Sequence, residues 1–83
     1  MENSAIVVFK ILKRNFETDL EIPINISAND LVNALNKAYD LGIDTSDVSN
    51  CYLKSERPIA FLKGNKELKD FGVRNGTVIN FTE

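Results

Sequence analysis

The sequence contains no histidine, no tryptophan and a single cysteine, Cys51. Without histidine it lacks the usual general base at neutral pH and the commonest metal ligand. One cysteine cannot close an internal disulfide, and alone it builds neither a zinc nor an iron–sulfur site. The lack of a disulfide framework fits a reducing compartment. Glycine and proline are scarce, at four and two. They are also scattered, so no linker or low-complexity tract stands out. No sign of charge dominates: ten Lys/Arg oppose twelve Asp/Glu, a net charge of −2. The basic footprint of a nucleic-acid binder is missing, and no nucleic-acid partner is expected. The longest apolar run, residues 5–9, is far too short to span a bilayer. No cationic lead runs into an apolar stretch near the start, so a signal peptide is not expected. The expectation is a cytoplasmic chain that does not insert into a membrane by itself.

What is present is ordinary globular composition. The chain has 83 residues, 43% apolar and 27% charged, which suits one small domain over 1–83. Ten asparagines are dispersed along it and fit turn chemistry. Residues 5–12 (AIVVFKIL) are β-branched and apolar and predict a central strand. Val7, Phe9 and Ile11 share its inner face, and Lys10 marks the outer one. Lys13, Arg14 and Asn15 suit a hairpin turn. Residues 16–26 alternate strictly: Phe16, Thr18, Leu20, Ile22, Ile24 and Ile26 on one side, Glu17, Asp19, Glu21, Pro23 and Asn25 on the other. A period of two predicts a half-buried strand, and Pro23 places it at a sheet edge.

A helix is predicted over 28–41. Ser27 is a good N-cap, and Ile26 and Leu31 occupy the two hydrophobic-staple positions. Leu31, Leu35 and Ala38 form an apolar stripe flanked by Val32 and Tyr39, and Gly42 suits the residue past the last turn. Tyr39 at helical spacing is expected to be a half-buried core aromatic. Residues 44–50 form a polar loop. Asp44, Ser46 and Asp47 invite a calcium reading, but the EF-hand spacing and its terminal glutamate are missing. A third strand is predicted at 51–54, a turn at 55–58, and a short strand at 59–62. Cys51 reads as a small hydrophobe in a strand rather than a nucleophile. Glu56 and Arg57, adjacent on a turn, read as solvated. Leu68, Phe71 and Val73 are spaced as one helical turn followed by extended chain, Asn75-Gly76 signals a turn, and Ile79 and Phe81 share the face of a closing strand.

A hairpin, one helix, two short strands and a closing strand define an α+β fold. One helix must cover one face of the sheet. The first and last strands, the most apolar, should be central neighbours. This is the β-grasp arrangement: a mixed four- to five-stranded sheet with one helix on one face. The expected inner side comprises Val7, Phe9, Ile11, Leu20, Ile22, Leu31, Leu35, Ile79 and Phe81. Alternation then places Val8, Lys10, Tyr52, Lys54, Val78 and Asn80 on the open face. That mixture of apolar, aromatic and cationic groups suits a protein partner.

The run L-x-D-F-x-V-x-x-G-x-x-I-x-F at 68–81 resembles the approach to the last strand of ubiquitin-like proteins. The segment IPINISANDLVNAL at 22–35 resembles their second-strand exit and helix start. The phrasing is most similar to bacterial YukD/EsaB-type proteins and to the N-terminal ubiquitin-like domain of the EccD membrane component. Ile22-Pro23 through Leu35 match the opening, and Leu68, Gly72-Val73, Gly76 and Ile79 match the close. Residues 51–64, CYLKSERPIAFLKG, depart from the tryptophan-containing strand of many members.

Covalent conjugation by this fold needs a flexible C-terminal diglycine, because an unhindered glycine carboxylate is activated. The sequence closes Ile79-Asn80-Phe81-Thr82-Glu83, so neither modifier nor sulfur-carrier roles are expected. A ferredoxin reading needs four cysteines. No histidine, phosphate loop or pocketed carboxylate pair supports an enzyme, and no cofactor or metal is expected. The resemblance implies a non-catalytic accessory of the type VII (WXG100/Esx) secretion system. Its implied partner is the FtsK/SpoIIIE-type ATPase or another membrane component, which would hold it peripherally at the membrane. The alternative is a ubiquitin-like adaptor in another complex.

Overall fold

In the computed structural model, which describes residues 3–44, 46–47 and 51–81, the apolar first segment is strand β1 (Ser4–Ile11). It continues through a 3-10 turn at Leu12–Arg14 and left-handed Asn15 into β2 (Phe16–Pro23), its antiparallel partner. Helix α1 (Ala28–Tyr39), β3 (Leu53–Glu56), β4 (Ala60–Leu62) and β5 (Val78–Phe81) follow. The sheet order is β2-β1-β5-β3-β4. β5 runs parallel to β1, and the remaining pairs are antiparallel. The two most apolar strands are therefore central neighbours, and Pro23 sits on an edge strand, where a missing N–H costs no ladder bond.

Val7, Phe9 and Ile11 of β1 and Ile79 of β5 are at most 1% exposed. They meet Ala28, Leu31, Val32 and Leu35 of α1 in one core cluster. Each such side chain contributes about 1.5–3 kcal/mol by leaving water. The helix is capped as its sequence suggests: the Ser27 hydroxyl accepts from the Asp30 N–H at 3.1 Å.

Several boundaries differ from the sequence expectation. The helix stops at Tyr39, not residue 41, because Asp40 turns left-handed (φ 53°) and side chains take over the terminal carbonyls. The Arg14 guanidinium donates to the Tyr39 and Asp40 carbonyls, both at 2.8 Å. The Asn36 amide pairs with both backbone groups of Ile43 at 3.0 Å. Ala38 is exposed, whereas Val32, on the other edge of the stripe, is fully buried. β2 ends at Pro23, because Ile24 and Ile26 turn from the sheet to the 68–71 segment. Their carbonyls accept from Lys69 and Leu68 at 2.9 and 3.0 Å. β3 is displaced two residues onward from the expected 51–54, where Lys54, Ser55 and Glu56 pair with β5. The short strand β4 starts at Ala60, and Ile59 projects at 90% exposure. Within the expected 44–50 loop, Thr45 and residues 48–50 lie outside the described residues, as do Met1, Glu2, Thr82 and Glu83.

The closing motif has a local physical basis. Leu68–Phe71 form one 3-10 turn that ends at left-handed Gly72. A Cβ there would lie 3.3 Å from Pro58 Cγ, so glycine suits both the φ of +84° and the close approach. Asn75 Oδ1 accepts from the Ile6 N–H at 2.8 Å, and the Gly76 N–H donates to the Ile6 carbonyl at 2.9 Å. The turn thus continues the pairing of β1. Thr77 is fully buried. Its hydroxyl donates to the Arg57 carbonyl at 2.9 Å and accepts from the Arg74 N–H at 3.0 Å.

Candidate functional site

The sheet has one face on the helix and one face turned away from it. Strand alternation and register determine what the outer face carries. Lys10 pairs with Glu17 of β2 and with Asn80 of β5, Asn80 pairs with Lys54 of β3, and Lys54 pairs with Phe61 of β4. One cross-strand row therefore reads Glu17, Lys10, Asn80, Lys54, Phe61. At about 4.8 Å per strand step it spans roughly 19 Å. The next row reads Asp19, Val8, Val78, Glu56. A third begins with Glu21 and Ile6.

Val8, Lys10, Lys54, Val78 and Asn80 thus share one face, and Tyr52 sits at the same phase just before β3. They do not contribute equally. Val78 and Asn80 are 9% and 7% exposed, on the central strand β5. The Asn80 amide donates to Glu56 Oε2 at 3.0 Å. Lys10, Val8 and Tyr52 are half-buried, and Lys54 is exposed. The Lys54 ammonium stands 6.0 Å from the Phe61 ring centroid, at the outer reach of a cation–π contact. Tyr52 meets the same ring edge-on at 5.5 Å.

Ile6 at 54% exposure and Phe61 at 58% belong to this face and were not singled out from sequence. The alternation of β1 contained the signal for Ile6. Phe61 could not be assigned a side until β4 had a register against β3. Beside Phe61 lies a groove of about 480 Å³ with an apolar lining that includes Ile59, Ala60 and Phe61. At the opposite end of the sheet, Leu12 and Phe16 are exposed at 49% and 37%. Phe16 there packs on Tyr39, which in turn packs on Phe9, at 5.5 and 5.1 Å between centroids.

Groups with possible chemistry are elsewhere and are structurally engaged. Cys51 is buried within the core cluster. Burial, and then the charges of Asp44 and Asp47, push its thiol pKa up, which opposes formation of a reactive thiolate. Asp44 Oδ1 accepts from the Ser46 hydroxyl at 2.6 Å and N–H at 3.0 Å, and these bonds lower its carboxyl pKa. Among the described residues, no three His, Cys, Asp or Glu side chains converge on a possible metal position. Nor is any helix among them long and apolar enough to cross a membrane.

The architecture is shared widely. The ubiquitin-like domain of tubulin-binding cofactor B superimposes with a TM-score of 0.75 at 22% identity, covering 100% of this chain and 92% of that one. The C-terminal ubiquitin-like domain of mouse tubulin-specific chaperone e gives 0.74 at 14% identity, over 96% and 86%. The UBL domain of Plasmodium falciparum Dsk2 gives 0.60 at 20% identity, over 93% and 96%. At these identities the likeness establishes the ubiquitin-like fold alone. No curated protein matches the sequence. A family model does, described as WXG100 protein secretion system (Wss), protein YukD, over residues 6–80. That match takes in the hairpin, the helix and the closing motif together, and the chain belongs to the YukD family of the WXG100 secretion system.

Proposed function

We propose that residues 1–83 act as one non-catalytic ubiquitin-like domain, on the cytoplasmic side, through noncovalent contact with the membrane-bound secretion machinery. The FtsK/SpoIIIE-type ATPase or another membrane component receives the contact, on the outer face carrying Val8, Lys10, Tyr52, Lys54, Val78 and Asn80. Family membership over 6–80 is the observation that carries this reading. The face supports it physically, because aromatic, aliphatic and cationic groups lie together where an interface core and its charged rim would form.

A second reading makes the chain an adaptor in another complex. It rests on the ubiquitin-like fold alone, which the solved neighbours share. Complementation separates the two. Deletion of the gene is expected to stop or reduce export of WXG100 proteins. The wild-type copy should restore export, and a stably folded Lys10→Glu/Lys54→Glu copy should not. Unchanged export in the deletion strain contradicts the secretion reading and leaves the adaptor.

A further inference from the structure

We propose that the groove beside β4 takes an acidic protein segment carrying an apolar anchor residue, laid along the edge of the sheet. This inference rests on the outer-face reading above and names the chemistry of the partner.

Ile59 and Phe61, the two most exposed large apolar side chains among those described, flank Ala60 at this groove. Their isolated exposure would be unremarkable, but here they line a concavity of about 480 Å³, within the range that holds a ligand side chain and its neighbours. β4 is the last strand of the sheet, so no strand among the described residues pairs with its far side. An extended segment can add there by backbone hydrogen bonds and send an apolar anchor past Ile59 and Phe61 into the groove, whose lining reaches inward to Lys54 of β3 and Asn80 of β5.

Charge selects the occupant. The chain is acidic overall, with a net −2, yet this corner is cationic. Lys54 lines the groove, while Arg57 precedes β4 at the turn and Lys63 follows its last residue, all three exposed. The acid in the lining, Glu56, accepts a hydrogen bond from Asn80 and balances Lys54, so Arg57 and Lys63 beside the groove supply the cationic excess. A second copy paired symmetrically on β4 would bring these cations against their own counterparts, which is unfavourable. A lipid surface is flat and cannot fill a concavity, and the acids of β2 on the same sheet face would oppose an anionic one.

The test is a titration of the isotopically labelled full chain with a short synthetic peptide, a leucine and a phenylalanine flanked by glutamates and aspartates. Amide shifts should concentrate at Lys54, Ile59, Ala60 and Phe61. Binding should weaken with salt and fall about fivefold or more in both Phe61→Ala and Ile59→Ser. Ile59→Ser guards against misfolding, since that side chain is 90% exposed. Equal binding of a peptide with lysines in place of the acids overturns the inference. So do shifts centred elsewhere, indifference to both substitutions, binding instead to phosphatidylglycerol vesicles, or self-association that Phe61→Ala abolishes. If the peptide fails while Lys10→Glu/Lys54→Glu still weakens capture of the secretion machinery, the groove assignment is wrong and the outer-face reading stands.

Discussion

At the scale of single residues, burial decides more than chemical type. Cys51 is the reactive group a sequence reader notices first, and its surroundings suppress it. Desolvation is the larger cause of its raised thiol pKa, followed by Asp44 and Asp47. Because the folded value lies above the unfolded one, the buried thiol's contribution to stability is complete below the unfolded thiol's own range. It is lost as pH rises through the folded value. Native thiol labelling at pH 7 should therefore be slower than in denaturant. The stability gap between wild type and Cys51→Ala should narrow from neutral toward alkaline pH in denaturant melts; a gap independent of pH contradicts this. Core substitutions give a second check. Leu68 is fully buried, so Leu68→Ala should cost about 2–5 kcal/mol. Ala38 is exposed, so Ala38→Ser should stay within about 0.5 kcal/mol. A large loss at Ala38 would mean that the buried face of the helix extends past Leu31 and Leu35 to this edge.

At the scale of elements, the helix is held at both ends by side chains, but only one end was legible. Ser27 lies next to the residues it caps, so the N-terminus followed from local sequence. The C-terminus depends on Arg14, which reaches 25 and 26 residues along the chain to the Tyr39 and Asp40 carbonyls. No periodicity encodes such a contact, and Gly42 therefore looked like the better stop. Ser27→Ala should lower stability by about 1 kcal/mol. Arg14→Ala should leave the global melt less affected but speed hydrogen exchange at the Leu41 amide, which donates to the Asn36 carbonyl at 3.2 Å. Unchanged exchange at Leu41 would show that Arg14 does not hold the last turn. The displaced third strand has the same origin. Its extent is set by pairing with β5, a long-range choice, while residues 51–54 merely look most strand-like.

At the scale of the molecule, the order of elements and the inward residues of β1 and β5 could be read from alternation alone. One helix has one sheet to cover, and the most apolar strands must be innermost. The candidate face was legible in phase but not in exposure. Val78 and Asn80 occupy it, yet Glu56 and neighbouring side chains leave them little surface, whereas Ile6 and Phe61 show more. Alternation tells which side a residue faces; only the packed neighbours decide how much of it a partner can touch. The proposed contact therefore depends on exposed Lys54 and Phe61 and half-buried Lys10 and Tyr52 rather than on the buried pair between them.

The most direct measurement is a binding titration between detergent-solubilised secretion machinery and this chain, wild type against Lys10→Glu/Lys54→Glu. Affinity should fall about tenfold or more, roughly 1.4 kcal/mol, in a variant that remains folded by circular dichroism. Equal affinity of the two proteins would show that the outer sheet face is not where the machinery is touched.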